Sequence, residues 1–290
     1  MAEDAHDRET TITMPCWDGR AAQVIHAPVL AAVADLCPME LRRLAPALFA
    51  LMLVPACAQR SDGPMAEVPA AVHPTKASTM TVEIWSDVVC PFCYIGKREF
   101  ERALERFAHK DEVTVVWRSF ELDPYAPERS PLDMYDMLAK KYGISRDEAR
   151  ARVGGVVERA KTVGLDYDMD AAIMGSSFHA HRLLQFAKSK GLGDAAKERL
   201  FRAYFIEGQH IADRAVLQRL AAEIGLDAAE TEAVLNSDAY TAEVRADEQQ
   251  ARQVGVRGVP FFVIDGRYSV SGAQHSDHFL GALQQAWSTR

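Results

Sequence analysis

Cysteine is scarce in this sequence and unevenly placed. Of the five, Cys16, Cys37 and Cys57 lie early, and only Cys90 and Cys93 follow. Downstream of residue 57 the chain can form no disulfide except within that pair, which excludes a disulfide-stapled secreted scaffold there. No second Cys-x-x-Cys is present, so a structural zinc would lack its other thiol ligands and no metal is expected. Basic excess is missing too: 33 Lys and Arg against 41 Asp and Glu give a net charge of -8. That leaves no electrostatic footprint for nucleic acid. The apolar run at residues 44–54 is too short for an ordinary membrane-crossing helix. Internal repeats are absent.

What is present divides at about residue 80. Residues 1–38 have no sustained periodicity. Met39-Glu40-Leu41-Arg42-Arg43 then precedes the apolar run and Pro55-Ala56-Cys57. A basic start, a short apolar stretch and a small residue before cysteine resemble a bacterial lipoprotein signal, with Cys57 as the lipidated residue. Pro55 departs from that pattern. Residues 61–79 would then be a tether. The alternative is that residues 1–79 are an over-extended start and that Met80 begins the functional chain. The first reading implies a cell-envelope protein held to a membrane through Cys57, the second a cytoplasmic one.

From residue 80 the pattern becomes regular. Val82 and Ile84 alternate with Glu83 and Trp85 in a short run of β-formers, which predicts a strand. Pro91 suits a first helical position, since its missing N–H would have no partner there. Phe100, Ala103, Leu104 and Phe107 continue a helical stripe, and residues 113–117 read as a second strand. Pro124, Pro127 and Pro131 close this first unit, and from about residue 132 to 254 the pattern is almost entirely helical. Ser145 with Glu148 predicts a capping box, with its helix stopping at Gly164. Asp194, Asp213 and Asp227 are predicted to open further helices, and Gly255 to end the last of them. Residues 261–264 and 268–271 read as strands joined by Asp265-Gly266 in a hairpin. A terminal helix carries Phe279, Leu280, Leu283 and Trp287. This order predicts an α/β, thioredoxin-like fold with a large inserted helical domain. Its thioredoxin parts are residues 80–123 and 255–290, and the insertion is residues 124–254.

Chemistry concentrates at Cys90-Pro91-Phe92-Cys93. A thiol titrates near ~8.5, and the thiolate is the nucleophile. At a helix N-terminus Cys90 would face free backbone N–H groups and the positive end of the dipole, both favouring the anion. Cys93, one turn inside, is expected to be more buried and nearer neutral. Cys90 is therefore assigned the attack and Cys93 the resolution of a mixed disulfide. Val259-Pro260 precedes a strand where a central position would not tolerate proline. A cis bond there would relieve the conflict.

The stretches Ser86–Lys97, Ala180–Leu183, Ala203–Phe205, Gly255–Phe262 and Ser271–Gln274 resemble the DsbA family of thiol-disulfide oxidoreductases, within it the FrnE-like group of dithiol-disulfide isomerases. The resemblance covers residues 80–290. It implies disulfide exchange with protein or small-thiol partners, with Cys90 as nucleophile, Cys93 as resolving thiol and Pro260 as the cis-proline. Val259, Pro260, Pro91, Phe92 and His181 become the candidate substrate-binding residues. No resident cofactor is implied, glutathione being a candidate redox partner. The best-known DsbA carries histidine where Phe92 stands, and that histidine helps make it strongly oxidising, so the direction of electron flow stays open. Two other readings are glutathione-dependent isomerases or transferases of the 2-hydroxychromene-2-carboxylate and kappa classes, and a polypeptide-binding chaperone-like module. The first typically has serine in place of Cys90, and both thiols are intact here.

Other residues divide between roles. His179 and His181 are two apart on a helix and make a poor chelate. His181 is read either as facing the interdomain groove or as a structural histidine. Glu83 and Glu121 are read as strand-edge surface charges, with buried carboxylates near the dithiol as the alternative. Phe92, Tyr94 and Trp85 are candidates for an apolar rim. Composition says nothing about oligomeric state.

Overall fold

The computed structural model describes residues 79–290. The lipoprotein-type segment at residues 39–57, Cys57 and the tether lie outside the described residues, apart from Thr79. Strand β1 (Met80–Ser86) alternates as its sequence demands. Met80, Val82 and Ile84 enter the main core, while Trp85 joins Ala251, Val256 and Val263 in a second apolar cluster. β1 is thus covered on both faces, which suits a central strand.

Helix α1 (Pro91–Arg106) follows and returns the chain to β2 (Val113–Ser119), which pairs with β1 in parallel. A parallel pair requires such a crossover. Seven helices then intervene before the sheet resumes: α2 (Met134–Tyr142), α3 (Arg146–Lys161), α4 (Phe178–Ser189), α5 (Gly193–Phe205), α6 (Arg214–Glu223), α7 (Ala228–Leu235) and α8 (Thr241–Val254). β3 (Phe261–Ile264) and β4 (Tyr268–Ser271) form an antiparallel hairpin, and α9 (Ser276–Ser288) closes the described chain. The sheet order is β2-β1-β3-β4. In the β1–β3 pairing Ile84 lies opposite Phe262 and Trp85 opposite Phe261. Helix α9 packs on α1, and Phe279 meets both Phe100 and Phe262 edge-on, with centroids 5.8 and 4.5 Å apart.

Capping explains most of the helix starts. Ser145 and Glu148 form the expected reciprocal box, at 2.8 and 3.2 Å. The helix stops at Lys161, before Gly164, which takes a positive φ of 80° in the turn that follows. Asp213 and Asp227 cap α6 and α7 as expected. Asp194 does not open α5. Its carboxylate instead accepts from the Trp117 indole at 3.0 Å, and the helix starts one residue earlier behind Leu192. Helix α2, only nine residues long, was too short for periodicity to isolate.

One buried acid ties two helices of the insertion to the sheet. Asp247 on α8 accepts from the Ser119 backbone at 2.9 Å, from Gln185 on α4 at 2.5 Å and from Arg118 on β2 at 2.9 Å. Its own carbonyl accepts from the Trp85 indole at 2.9 Å. Charge-assisted bonds of this kind contribute about 1.5–3 kcal/mol each, more than a surface pair.

Gly96, in the second turn of α1, permits a close approach. A Cβ there would lie 2.9 Å from the Pro260 ring and 3.6 Å from Ala273, whereas one at Gly281 on α9 would meet nothing within 4 Å. Gly281→Ala is expected to stabilise by about 0.5–1 kcal/mol through helix propensity. Gly96→Ala gains the same propensity but should lose about 1–3 kcal/mol net to overpacking. Thermal melts of the two variants check this, and a higher midpoint for Gly96→Ala would contradict the packing described.

Candidate active site

The dithiol stands where β1 gives way to α1. Cys90 is the N-cap, with extended φ/ψ of -91° and 114°, and Pro91 occupies the first helical position as its sequence predicts. The Cys90 carbonyl accepts from Cys93 N at 3.0 Å, which starts the helix. Both cysteines are free thiols and both are buried, Cys90 at 4% and Cys93 at 1% exposure. The Cys90 Sγ donates to the Val259 carbonyl at 3.5 Å, a contact spanning 169 positions of sequence. The Val259-Pro260 bond is cis, and the Pro260 carbonyl accepts from Gly272 N at 2.8 Å.

The expected preference of Cys90 for the anion is only half met. Its place at the helix N-terminus is as predicted. The hydrogen bond shared with Cys93 and then burial push its thiol well above the ordinary thiol range, and the Asp87 charge acts in the same direction. Ionising Cys90 therefore works against both its neighbouring thiol and its burial.

Beneath the dithiol lies a buried set of charges. Asp87 has no exposed surface, and its carboxylate accepts from Leu122 N at 2.7 Å, from Val89 N at 3.3 Å and from His181 Nε2 at 3.2 Å. It ties the loop before Cys90 to the segment leaving β2 and to α4. Burial alone would raise its pKa, but His181, Leu122 and the more distant Lys197 outweigh that and hold it below the usual value. Lys197 on α5 is also fully buried, and its Nζ donates to the Ser86 carbonyl at 3.1 Å. Burial draws its pKa down to about 8, against pulls from Cys93, Asp87 and Cys90. It remains mostly charged at neutral pH.

Aromatic rings lock the first turn of α1 to the insertion. Tyr94 stacks on Phe201 of α5 with centroids 4.8 Å apart, and Tyr167 stacks on Phe205 at 4.8 Å. The Tyr167 hydroxyl donates to the Pro91 carbonyl at 2.8 Å. Tyr94 donates to Glu198 at 2.6 Å, and Arg98 donates to Tyr94 and pairs with the same carboxylate.

The structure places the candidate residues unevenly. Val259, Pro91 and Phe92 are partly exposed around the sulfurs, and Pro260 is buried beside them. His181 has no exposed surface, so it does not face a groove. It is a buried partner of Asp87 and cannot touch a substrate. Trp85 and Tyr94 are likewise buried and form no rim. Glu83 is half-buried and pairs with Arg118 at 2.6 Å. Glu121 is no surface charge: burial raises its pKa, and Arg245 holds one oxygen at 2.5 Å while the other has no partner.

Four residues escaped the sequence reading. Asp87 and Tyr167 carried no motif signal beyond their neighbourhood, and Lys197 looked like any charged position on an amphipathic helix. Tyr142, at the end of α2, is 43% exposed and near enough to Cys90 for the thiolate charge to add to the effect of burial in raising its pKa. Among the described residues no cluster of side chains could hold a metal ion, and no helix is long and apolar enough to cross a membrane.

Asp87→Ala would leave His181 and the Leu122 N–H without their buried acceptor. It is expected to cost about 3–5 kcal/mol in chemical denaturation. Because the folded pKa of Asp87 lies below its unfolded value of about 4, its stabilisation is present above pH 4 and is lost as pH falls through the folded value. The gap between wild type and variant should close in acid. A constant gap down to pH 2 would contradict the ionised pairing.

Comparison with known proteins agrees with this geometry. A family model described as a DSBA-like thioredoxin domain matches residues 81–284. The uncharacterized protein YwbO of Bacillus subtilis (strain 168) is 33% identical over 208 residues, covering 71% of this chain and 96% of its own. The crystal structure of the probable DsbA oxidoreductase SCO1869 from Streptomyces coelicolor is 46% identical with a TM-score of 0.70, over 73% of this chain and 91% of that one. The cytosolic disulfide reductase DsbM from Pseudomonas aeruginosa shares the fold at 20% identity and a TM-score of 0.51, over 72% of this chain and all of its own.

Proposed function

Because the chain belongs to the DSBA-like thioredoxin family of disulfide oxidoreductases, we propose that Cys90 and Cys93 exchange disulfides with protein or small-thiol substrates. The observation that carries this is the free thiol pair at the N-terminus of α1, with the Cys90 sulfur against the Val259 carbonyl. The Cys90 thiolate attacks one sulfur of a substrate disulfide, forms a mixed disulfide and expels a thiolate that takes up a proton. Cys93 then attacks the Cys90 sulfur, closing the Cys90–Cys93 disulfide and releasing the second substrate thiol. Oxidation of a substrate runs the same steps backwards.

The Val259 carbonyl and the partly exposed Val89, Phe92 and Tyr142 supply the substrate contacts in this proposal. An extended polypeptide replaces the Cys90–Val259 contact with backbone pairing of its own, and the apolar side chains accept its neighbours. Phe92 brings no positive charge to the sulfurs, and the neighbouring thiol and burial hold Cys90 protonated. A strong oxidant owes its potential to a stabilised thiolate in the reduced form. The reading favoured here is therefore reductase or isomerase rather than oxidase, with glutathione among the candidate redox partners.

The test is reduction of insulin driven by dithiothreitol. Cys90→Ser should lose activity to background, and full activity in that variant would end the proposal. Cys93→Ser should accumulate a mixed disulfide on Cys90, detected as a mass adduct. A glutathione-dependent isomerase would instead keep its turnover without Cys93. Failure to trap any partner would contradict the order of attack.

A further inference from the structure

Lys197 is a buried charge with no carboxylate in contact, Asp87 acting on it only from a distance. It enters from α5, inside the insertion, and reaches the junction of β1 and α1 with its ammonium fully buried. Its hydrogen bond goes to a neutral acceptor, the Ser86 carbonyl. The ring centroids of Phe201 and Trp117 lie 4.8 and 5.5 Å from its Nζ. Such faces favour a cation but do not neutralise it. Among the described residues no carboxylate lies within ion-pair distance of it. Asp87, the nearest acid that acts on it, already carries three hydrogen bonds of its own. An isolated buried ammonium is costly, and buried charges are ordinarily paired.

The titratable groups that act most strongly on Lys197 come from the β1–α1 junction. They are Asp87 from the loop after β1, Cys90 and Cys93 from the first turn of α1, and Lys97 one turn further on. Lys97 is occupied with Glu101, Asp194 and Glu198. Phe201, one turn along α5 from Lys197, stacks on Tyr94, the residue after Cys93. The lysine is thereby held on the side of α1 where Cys93 sits. A negative sulfur is the one anion that the site forms and the resting dithiol lacks.

We propose that Lys197 is a positioning residue for the exchange reaction, a buried positive charge supplied by the insertion to offset negative charge on Cys93 during resolution. This rests on Cys93 being the resolving thiol. In that step the Cys93 S–H gives up its proton and its sulfur attacks Cys90 Sγ. The Cys90–substrate S–S bond breaks, and the departing sulfur takes the electron pair and the proton. Lys197 stays protonated throughout. Its contribution is the field that makes the anion tolerable where bulk water is excluded.

The experiment is an NMR titration of the reduced full-length protein labelled at cysteine Cβ, with the Cys93 signal assigned by its loss in Cys93→Ser. Lys197→Met is expected to move the Cys93 titration to higher pH by about one unit or more. The decay of a preformed mixed disulfide at pH 7 should slow about tenfold in that variant. Lys197→Arg, which keeps the charge, should bring both readouts most of the way back. Thermal stability of Lys197→Met should match or exceed wild type, since a buried charge has been removed. A Cys93 titration unchanged in folded Lys197→Met would overturn the proposal. So would equal slowing in Lys197→Met and Lys197→Arg, which marks a packing role. The titration reads the coupling whether or not the wild type reduces insulin, so the two proposals can fail separately.

Discussion

The antiparallel register between β1 and β3 governs the site. With Trp85 opposite Phe261, the residues just after β1 and just before β3 are forced to the same end of the sheet. The first is the loop carrying Asp87 and Cys90, the second the Val259-Pro260 turn. A slip of one residue would turn Phe262 and Ile264 out of the main core. Packing of Phe262 against Phe100 and Phe279 therefore specifies, at a distance, where the Val259 carbonyl meets Cys90. The Gly96 contact with the Pro260 ring closes the same arrangement from the α1 side.

A second constraint is the exclusion of water from beneath the dithiol. Asp87, His181 and Lys197 come from three separated parts of the chain and are all fully buried. Their hydrogen bonds help bind the insertion to the thioredoxin part. The Asp247 cluster repeats this at the other face of the sheet. The insertion is thus more than a lid over a thioredoxin core: it supplies His181 and Lys197 from below and Tyr142 near the sulfurs. Asp87 opposes negative charge on Cys90, and Lys197, reaching in from α5, is drawn toward its charged form by both sulfurs and by Asp87.

Much of this was legible from residue order. Alternation in β1, proline at the first position of α1, the capping residues of α3, α6 and α7 and the Asp265-Gly266 turn are local signals, and the chain follows them. Local signals failed where a side chain had a distant partner. Asp194 reads as a cap but is taken by Trp117. Glu121 reads as a strand-edge charge but is buried against Arg245. His181 reads equally as a groove or a structural residue, and only its burial against Asp87 decides for the second. Lys197 was invisible for the same reason, since its position within α5 looks amphipathic and its burial follows from the β1–α1 junction lying above it. Helical periodicity reports which face is covered but not what covers it.

The central claim is that Cys90 and Cys93 act as one two-electron redox couple. Equilibrating the protein across a series of dithiothreitol or glutathione ratios and counting labelled thiols by peptide mass tests this most directly. The account expects both thiols to disappear together in a single transition, at about 30 mV per tenfold change in the oxidised-to-reduced ratio. Thiols that disappear independently, or an adduct on one cysteine with no internal disulfide at any poise, would contradict it.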